Sequence, residues 1–189
     1  MSTYMAFFFF DFKDTEKQDC CDLLRSVLIQ LGNQSVSFNN ILIEFYTTHQ
    51  RGSQQPSDSA LIQCLEKMLK VPGDVPIYII IDALDECPDI SGMQSSREKV
   101  LDLVKRLVEL HFPNLRLFIT SRPEVDIRNV LEPLTSTSIR ISLHDEDGQK
   151  KDIANYVNSI VYSDTKMMKW LEEDKKLVVK TLSDGADGM

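Results

Sequence analysis

The run Ile77-Tyr78-Ile79-Ile80-Ile81-Asp82-Ala83-Leu84-Asp85-Glu86 follows an apolar stretch with three closely spaced carboxylates. Acids at the tip of a buried strand can do metal and water chemistry. Asp82 is placed to hold a magnesium ion through its water shell, because Mg²⁺ takes oxygen ligands and keeps several of its waters. Glu86, one turn further on, can polarise a water that attacks a γ-phosphate, and Asp85 can support either the metal or that water. The same acids also suit a strand end that leads into a helix start, where the dipole favours carboxylates. Ten residues alone leave both readings open, since short motifs also match by chance.

A second strand tip lies in Leu115-Arg116-Leu117-Phe118-Ile119-Thr120-Ser121-Arg122-Pro123. Neighbouring parallel strands bring their tips to one edge of a sheet, where ligands bind in open α/β folds. There the hydroxyls of Thr120 and Ser121 stand beside the acids, and Arg122 can reach phosphate oxygens. The competing expectation is that Arg122 pairs with Glu124 or Asp126 in solvent. Two such tips, in this order and separated by one amphipathic helix, point to an NTPase-derived site.

The elements that must position these residues alternate between strand and helix. Ala6 to Phe12 is a dense apolar run that predicts a strand buried on both faces. Cys20, Leu24, Val27, Leu28 and Leu31 recur at helical spacing, and Gly32 follows where a left-handed cap would stop the helix. Further helices are predicted at Ile41 to Tyr46 and, after Ser57, along Leu61, Ile62, Leu65, Met68 and Leu69. Ser95-Ser96-Arg97-Glu98 has the spacing of a capping box before the amphipathic run Val100 to Leu110. A short helix near Asp126 to Leu131, a strand at Ser138 to Leu143 and helices at Lys151 to Val161 and Lys169 to Leu182 complete the pattern. Alternation of this kind predicts an α/β fold, a parallel sheet joined by right-handed crossovers and covered on both faces. Strand signals stop near residue 145, so residues 1–145 are expected to form a partial nucleotide-binding domain and 146–189 the beginning of a helical one.

Composition excludes several classes. The 189 residues, 42% hydrophobic and 26% charged, are those of a globular chain able to bury a core. A formal charge of -8 with no basic cluster argues against nucleic acid as a partner. No apolar run approaches the roughly 20 residues that span a bilayer, and no basic n-region precedes Phe7 to Phe10, so a cytoplasmic location is expected. Cys20, Cys21, Cys64 and Cys87 form no metal-ligand spacing, and Cys87 is expected to be a plain buried thiol. His49, His111 and His144 are scattered and read as surface or cap residues, while Tyr156 and Trp170, in helical segments, read as core or interface packing.

On these motifs the chain resembles the NACHT class of P-loop signal-transduction ATPases, the STAND type, and in particular its fungal heterokaryon-incompatibility members and the related nephrocystin-like N-terminal domain. The class is similar in placing a small residue after the magnesium aspartate and closing the motif with two acids, as Asp82-Ala83-Leu84-Asp85-Glu86 does. Its sensor strand is similar to Thr120-Ser121-Arg122-Pro123, its aromatic strand to Phe7 to Phe10 with Asp11-Phe12, and its helical region to Asp152 to Val157 and Asp184 to Met189. The resemblance implies an ATP-dependent switch in signalling or cell death, with ATP and Mg²⁺ as cofactors of the complete parent and other NACHT protomers or signalling proteins as partners. It assigns Asp82 to Mg²⁺, Glu86 and Asp85 to hydrolysis, and Arg122, Ser121 and Thr120 to the nucleotide.

One part of that pattern is missing. A phosphate-binding loop needs G-x-x-x-x-G-K-S/T, and none of the seven glycines is followed by lysine. In the class this loop and its strand come just before the aromatic strand, so the sequence is expected to be an N-terminally truncated piece that binds no nucleotide tightly. The absent strand would lie between Leu115 to Thr120 and Ser138 to Leu143, so a gap or a forced pairing is expected there, with Phe118 and Ile141 partly uncovered. The alternatives are a non-catalytic interaction module or decayed remnant, and a metal-dependent hydrolase. The last lacks a histidine or further acid to complete a metal shell.

Overall fold

The computed structural model describes residues 3–52, 54–71, 73–89, 95–137 and 147–185. Its centre is the apolar run of the acid motif, which forms β2 (Ile77–Asp82) between β1 (Tyr4–Phe9) and β3 (Leu115–Ile119) in a parallel sheet of order β1-β2-β3. The pairing sets Phe9 beside Asp82 and Ile81 beside Ile119, so all three carboxyl ends share one edge. The α/β fold and the three parallel strands therefore agree with the expectation from the sequence. Strand β1 begins two residues earlier and ends three residues sooner than the apolar run predicts, because Phe10 already leaves the ladder after its N–H bonds Asp82 O at 3.1 Å.

Helices α1 (Cys20–Gly32), α2 (Val36–Thr48) and α3 (Asp58–Leu69) fill the first crossover, and α4 (Ser96–Glu109) fills the second. Asp19 caps α1 and Ser57 caps α3, each accepting a backbone N–H of the first turn. The capping box of α4 forms as predicted: Ser95 accepts from the N–H of Glu98, and Glu98 accepts from that of Ser95. Helix α2 is much longer than the six residues predicted. Gly32 is the last residue of α1, not a left-handed cap; Asn33 caps that helix with right-handed geometry. What Gly32 permits is contact with α2, since a Cβ there would fall 2.8 Å from Leu42 Cδ2.

A single cluster joins Ala6, Phe8, Ile77, Ile79 and Ile81 of the sheet to Leu23, Leu24, Val27 and Leu31 of α1, Leu65 and Met68 of α3, and Val100, Leu103 and Val104 of α4. The opposite face is left open among the described residues, contrary to a sheet covered on both sides. The register places Met5, Phe7 and Phe9 of β1, Tyr78 and Ile80 of β2, and Phe118 of β3 together there. Phe7, Phe9 and Phe118 are 47%, 50% and 58% exposed. Strand order explains this. Two successive steps in the same direction, each right-handed, must send both sets of connecting helices over the same face. Phe118 is uncovered as expected, whereas Ser138 to Leu143, with Ile141, lie outside the described residues.

The two sheet edges differ. On β1 the outward N–H and C=O of Met5 are bonded by the amide of Gln34 at 2.8 and 2.6 Å, and those of Phe7 by the amide of Gln30 at 3.1 and 2.7 Å. These side chains stand in for a neighbouring strand. On β3 the outward main-chain groups of Leu117 and Ile119 have no partner among the described residues.

After β3 come α5 (Val125–Leu131) and a 3-10 segment, Glu132–Thr137. The chain divides into two compact units, Met1–Thr137 and Ser138–Met189. The second holds α6 (Asp147–Ser163) and α7 (Glu172–Gly185), which pack together, with Tyr162 donating to Glu172 Oε1 at 2.6 Å. Between them Met167–Lys169 forms a separate turn and Trp170 is extended, so α7 starts three residues later than predicted. Tyr156 and Trp170 are both exposed, so neither packs in the core. Among the described residues no helix is long and apolar enough to cross a membrane.

Candidate functional site

The carboxyl edge of β2 turns sharply. Ala83 adopts left-handed backbone geometry at φ 53° and ψ 46°, and Leu84–Glu86 follows as one 3-10 turn. A side chain in that conformation costs about 1–2 kcal/mol, so a small residue after Asp82 is what the turn tolerates best. The turn is stitched to β3 by Thr120. Its N–H donates to Ile81 O and its C=O accepts from Leu84 N–H, both at 3.0 Å. Its hydroxyl accepts from Ala83 N–H at 3.0 Å and donates to Asp82 Oδ1.

Each predicted acid has a defined partner. Asp82 bonds Thr120 through Oδ1 and keeps Oδ2 without a partner among the described residues. Asp85 accepts the N–H of Arg122 at 2.9 Å and pairs with its guanidinium at 3.4 Å. Glu86 reaches across to the segment that follows β1, where Oε2 accepts from Phe12 N–H at 3.3 Å. The Arg122 side chain is 78% exposed while that of Asp85 is 11% exposed, so the arginine can swing away at little cost and the acid cannot. Ser121 does not join them; its hydroxyl donates to the carbonyl of Arg122 at 2.7 Å. Neither Glu124 nor Asp126 takes Arg122. Asp126 pairs instead with Arg97 at 3.2 Å.

Together Phe12, Asp85, Glu86, Pro88, Arg97 and Arg122 line most of a cleft of about 350 Å³. Arg97 was not recognisable as a site residue, because its acid-turn partners are the carbonyls of Asp85 and Cys87, at 2.6 and 2.9 Å. Main-chain acceptors leave no mark in residue types. The only signal was its place in the predicted capping box. Cys87 itself is buried, and burial pushes its thiol up to about 12, so it stays protonated and unreactive at neutral pH. His49 bonds the carbonyl of Phe45 and His111 that of Glu109, so both sit at helix C-termini, while His144 lies outside the described residues.

As a magnesium site this geometry fits the water-mediated kind. Among the described residues no three of His, Cys, Asp and Glu converge to cage a metal directly. Mg²⁺ is commonly held by one or two carboxylates together with substrate phosphates, and Asp82, with Oδ1 tied to Thr120 and Oδ2 without a partner among the described residues, has the form of such a carboxylate.

No curated protein and no solved structure matches the chain. A family model does, the nephrocystin 3 N-terminal domain, over residues 1–122. That span runs from β1 through the acid turn to Arg122, so the elements that assemble the strand-tip cluster are the ones the model recognises, and the chain belongs to the nephrocystin 3 N-terminal family.

Proposed function

We propose that this chain supplies the magnesium and hydrolysis side of the nucleotide site in a NACHT-type P-loop NTPase, an ATP-dependent signalling switch. The observation that carries the reading is the contact between Asp82 and Thr120, which joins two neighbouring parallel strand tips at the carboxyl edge. Bound Mg²⁺ would neutralise charge on the phosphates and orient them. The second oxygen of Asp82, which has no partner among the described residues, would hold one of the ion's waters. Glu86 would leave the N–H of Phe12 to orient and polarise the attacking water, and Arg122 would exchange Asp85 for phosphate oxygens. Asp85, thus released, supports that water. The phosphate cradle must come from residues outside this sequence, since no glycine here is followed by lysine.

A second reading, an interaction module without turnover, draws support from the apolar face and the outer edge of β3, which have no cover and no main-chain partner among the described residues. The open reading frame upstream of Met1 separates the two. An in-frame G-x-x-x-x-G-K-S/T loop supports the switch, and a genuine translation start at Met1 supports the module.

A further inference from the structure

Arg97 is the second residue of α4, and helical side chains lean toward the helix N-terminus, so its guanidinium is carried back over the acid turn. The capping box fixes the first turn of that helix, and the N–H of Arg97 itself bonds Pro88 O at 3.3 Å. From there Nη2 donates to Asp85 O at 2.6 Å, Nε to Cys87 O at 2.9 Å and Nη1 to Asp126 Oδ2 at 3.2 Å. The side chain is only 13% exposed. A largely buried guanidinium with all three nitrogens engaged has one geometry, and the groups it holds share it. It takes carbonyls and not the carboxylates of the turn. Asp85 and Glu86 therefore keep their acid oxygens for Arg122 and Phe12 at the cleft.

We propose that Arg97 is the positioning residue of the acid turn. It fixes the backbone of Asp85 to Cys87, and hence where the Asp85 and Glu86 carboxylates stand, and through Asp126 it ties that turn to the start of α5. The proposal rests on the magnesium-side reading of Asp82 and its neighbours. Arg97 touches neither metal nor substrate and acts only through the turn.

The test is Mn²⁺ titrated alone into the 189-residue chain, read as paramagnetic broadening of backbone amide signals, with thermal unfolding recorded in parallel. In the wild type the amides of residues 82–86 and Thr120 should broaden before others. Arg97→Ala should still unfold cooperatively while needing at least about fivefold more Mn²⁺ for the same broadening at Asp85 and Glu86. Arg97→Lys keeps the charge and the helix but gathers its donors on one nitrogen and cannot reproduce the three-nitrogen fork, so it should fall between the two, and it decides the matter if the alanine variant does not fold. A merely structural role would lower the unfolding temperature and leave Mn²⁺ broadening of the folded chain unchanged, which would overturn the proposal. Absence of selective broadening in the wild type would instead remove the metal-side reading, and the proposal with it.

Discussion

The hydroxyl of Thr120 accepts from the N–H of Ala83 at 3.0 Å while donating to the carboxylate of Asp82, so one side chain on β3 closes the tip of β2. Thr120→Val keeps the shape and removes both bonds, leaving a half-buried N–H without a partner. The expected loss is about 1–3 kcal/mol in urea unfolding, and Thr120→Ser should recover most of it. Equal stability of the valine variant would mean that the hydroxyl does not hold the turn.

Ala83 gives a second test of the same turn. At φ 53° a β-branched residue is strained far more than alanine, and glycine not at all. Ala83→Val should destabilise by at least about 1–2 kcal/mol, whereas Ala83→Gly should be neutral or stabilising despite its freer unfolded chain. A valine variant as stable as the parent would contradict the left-handed turn.

Asp58, at the start of α3, accepts from the Cys21 thiol at 2.6 Å and from Lys99 Nζ at 3.0 Å. These two hold its carboxyl below the ordinary value of 3.8. A depressed folded value means that the contribution is present above the unfolded pKa and is lost as pH falls through the folded one. Wild type should therefore lose stability below about pH 4 more steeply than Asp58→Asn, which should differ from it mainly at neutral pH. Parallel stability curves for the two between pH 7 and about pH 3 would contradict the pairing.

The open face and the edges predict behaviour in solution. Phe7, Phe9 and Phe118 make an apolar surface, and β3 offers main-chain groups without a partner among the described residues, so the isolated chain should bind hydrophobic dye and self-associate. Gln30→Ala with Gln34→Ala should increase that association by uncovering the second edge, and Phe118→Lys should reduce it. A monodisperse monomer without dye binding would mean that this face is closed in solution.

How far these features could be read in advance depended on what they are made of. The apolar run before Asp82 and the Ser95 and Glu98 box are written in residue types, and both appear where expected. The aromatic run of β1 suggested burial on both faces, because composition shows that side chains are apolar but not which neighbours cover them. Only the strand order β1-β2-β3 shows that every crossover helix falls on the side of Phe8 and Ile79. Arg97 leaves no mark in residue types since its acid-turn partners are carbonyls, and the sequence sets Ser121 beside Thr120 although successive side chains at a strand end point to opposite sides.

The central claim is that Asp82 serves a metal and Glu86 a water. The most direct measurement is ATP binding and hydrolysis in this chain joined to the phosphate-binding loop that the reading requires upstream, comparing Glu86→Gln and Asp82→Asn with the parent. Glu86→Gln should retain ATP binding and lose hydrolysis by about a hundredfold or more, the scale of a lost general base. Asp82→Asn should weaken the dependence on Mg²⁺ itself. If both variants bind and hydrolyse ATP as the parent does, these acids only close the end of β2 and the nucleotide-site account is wrong.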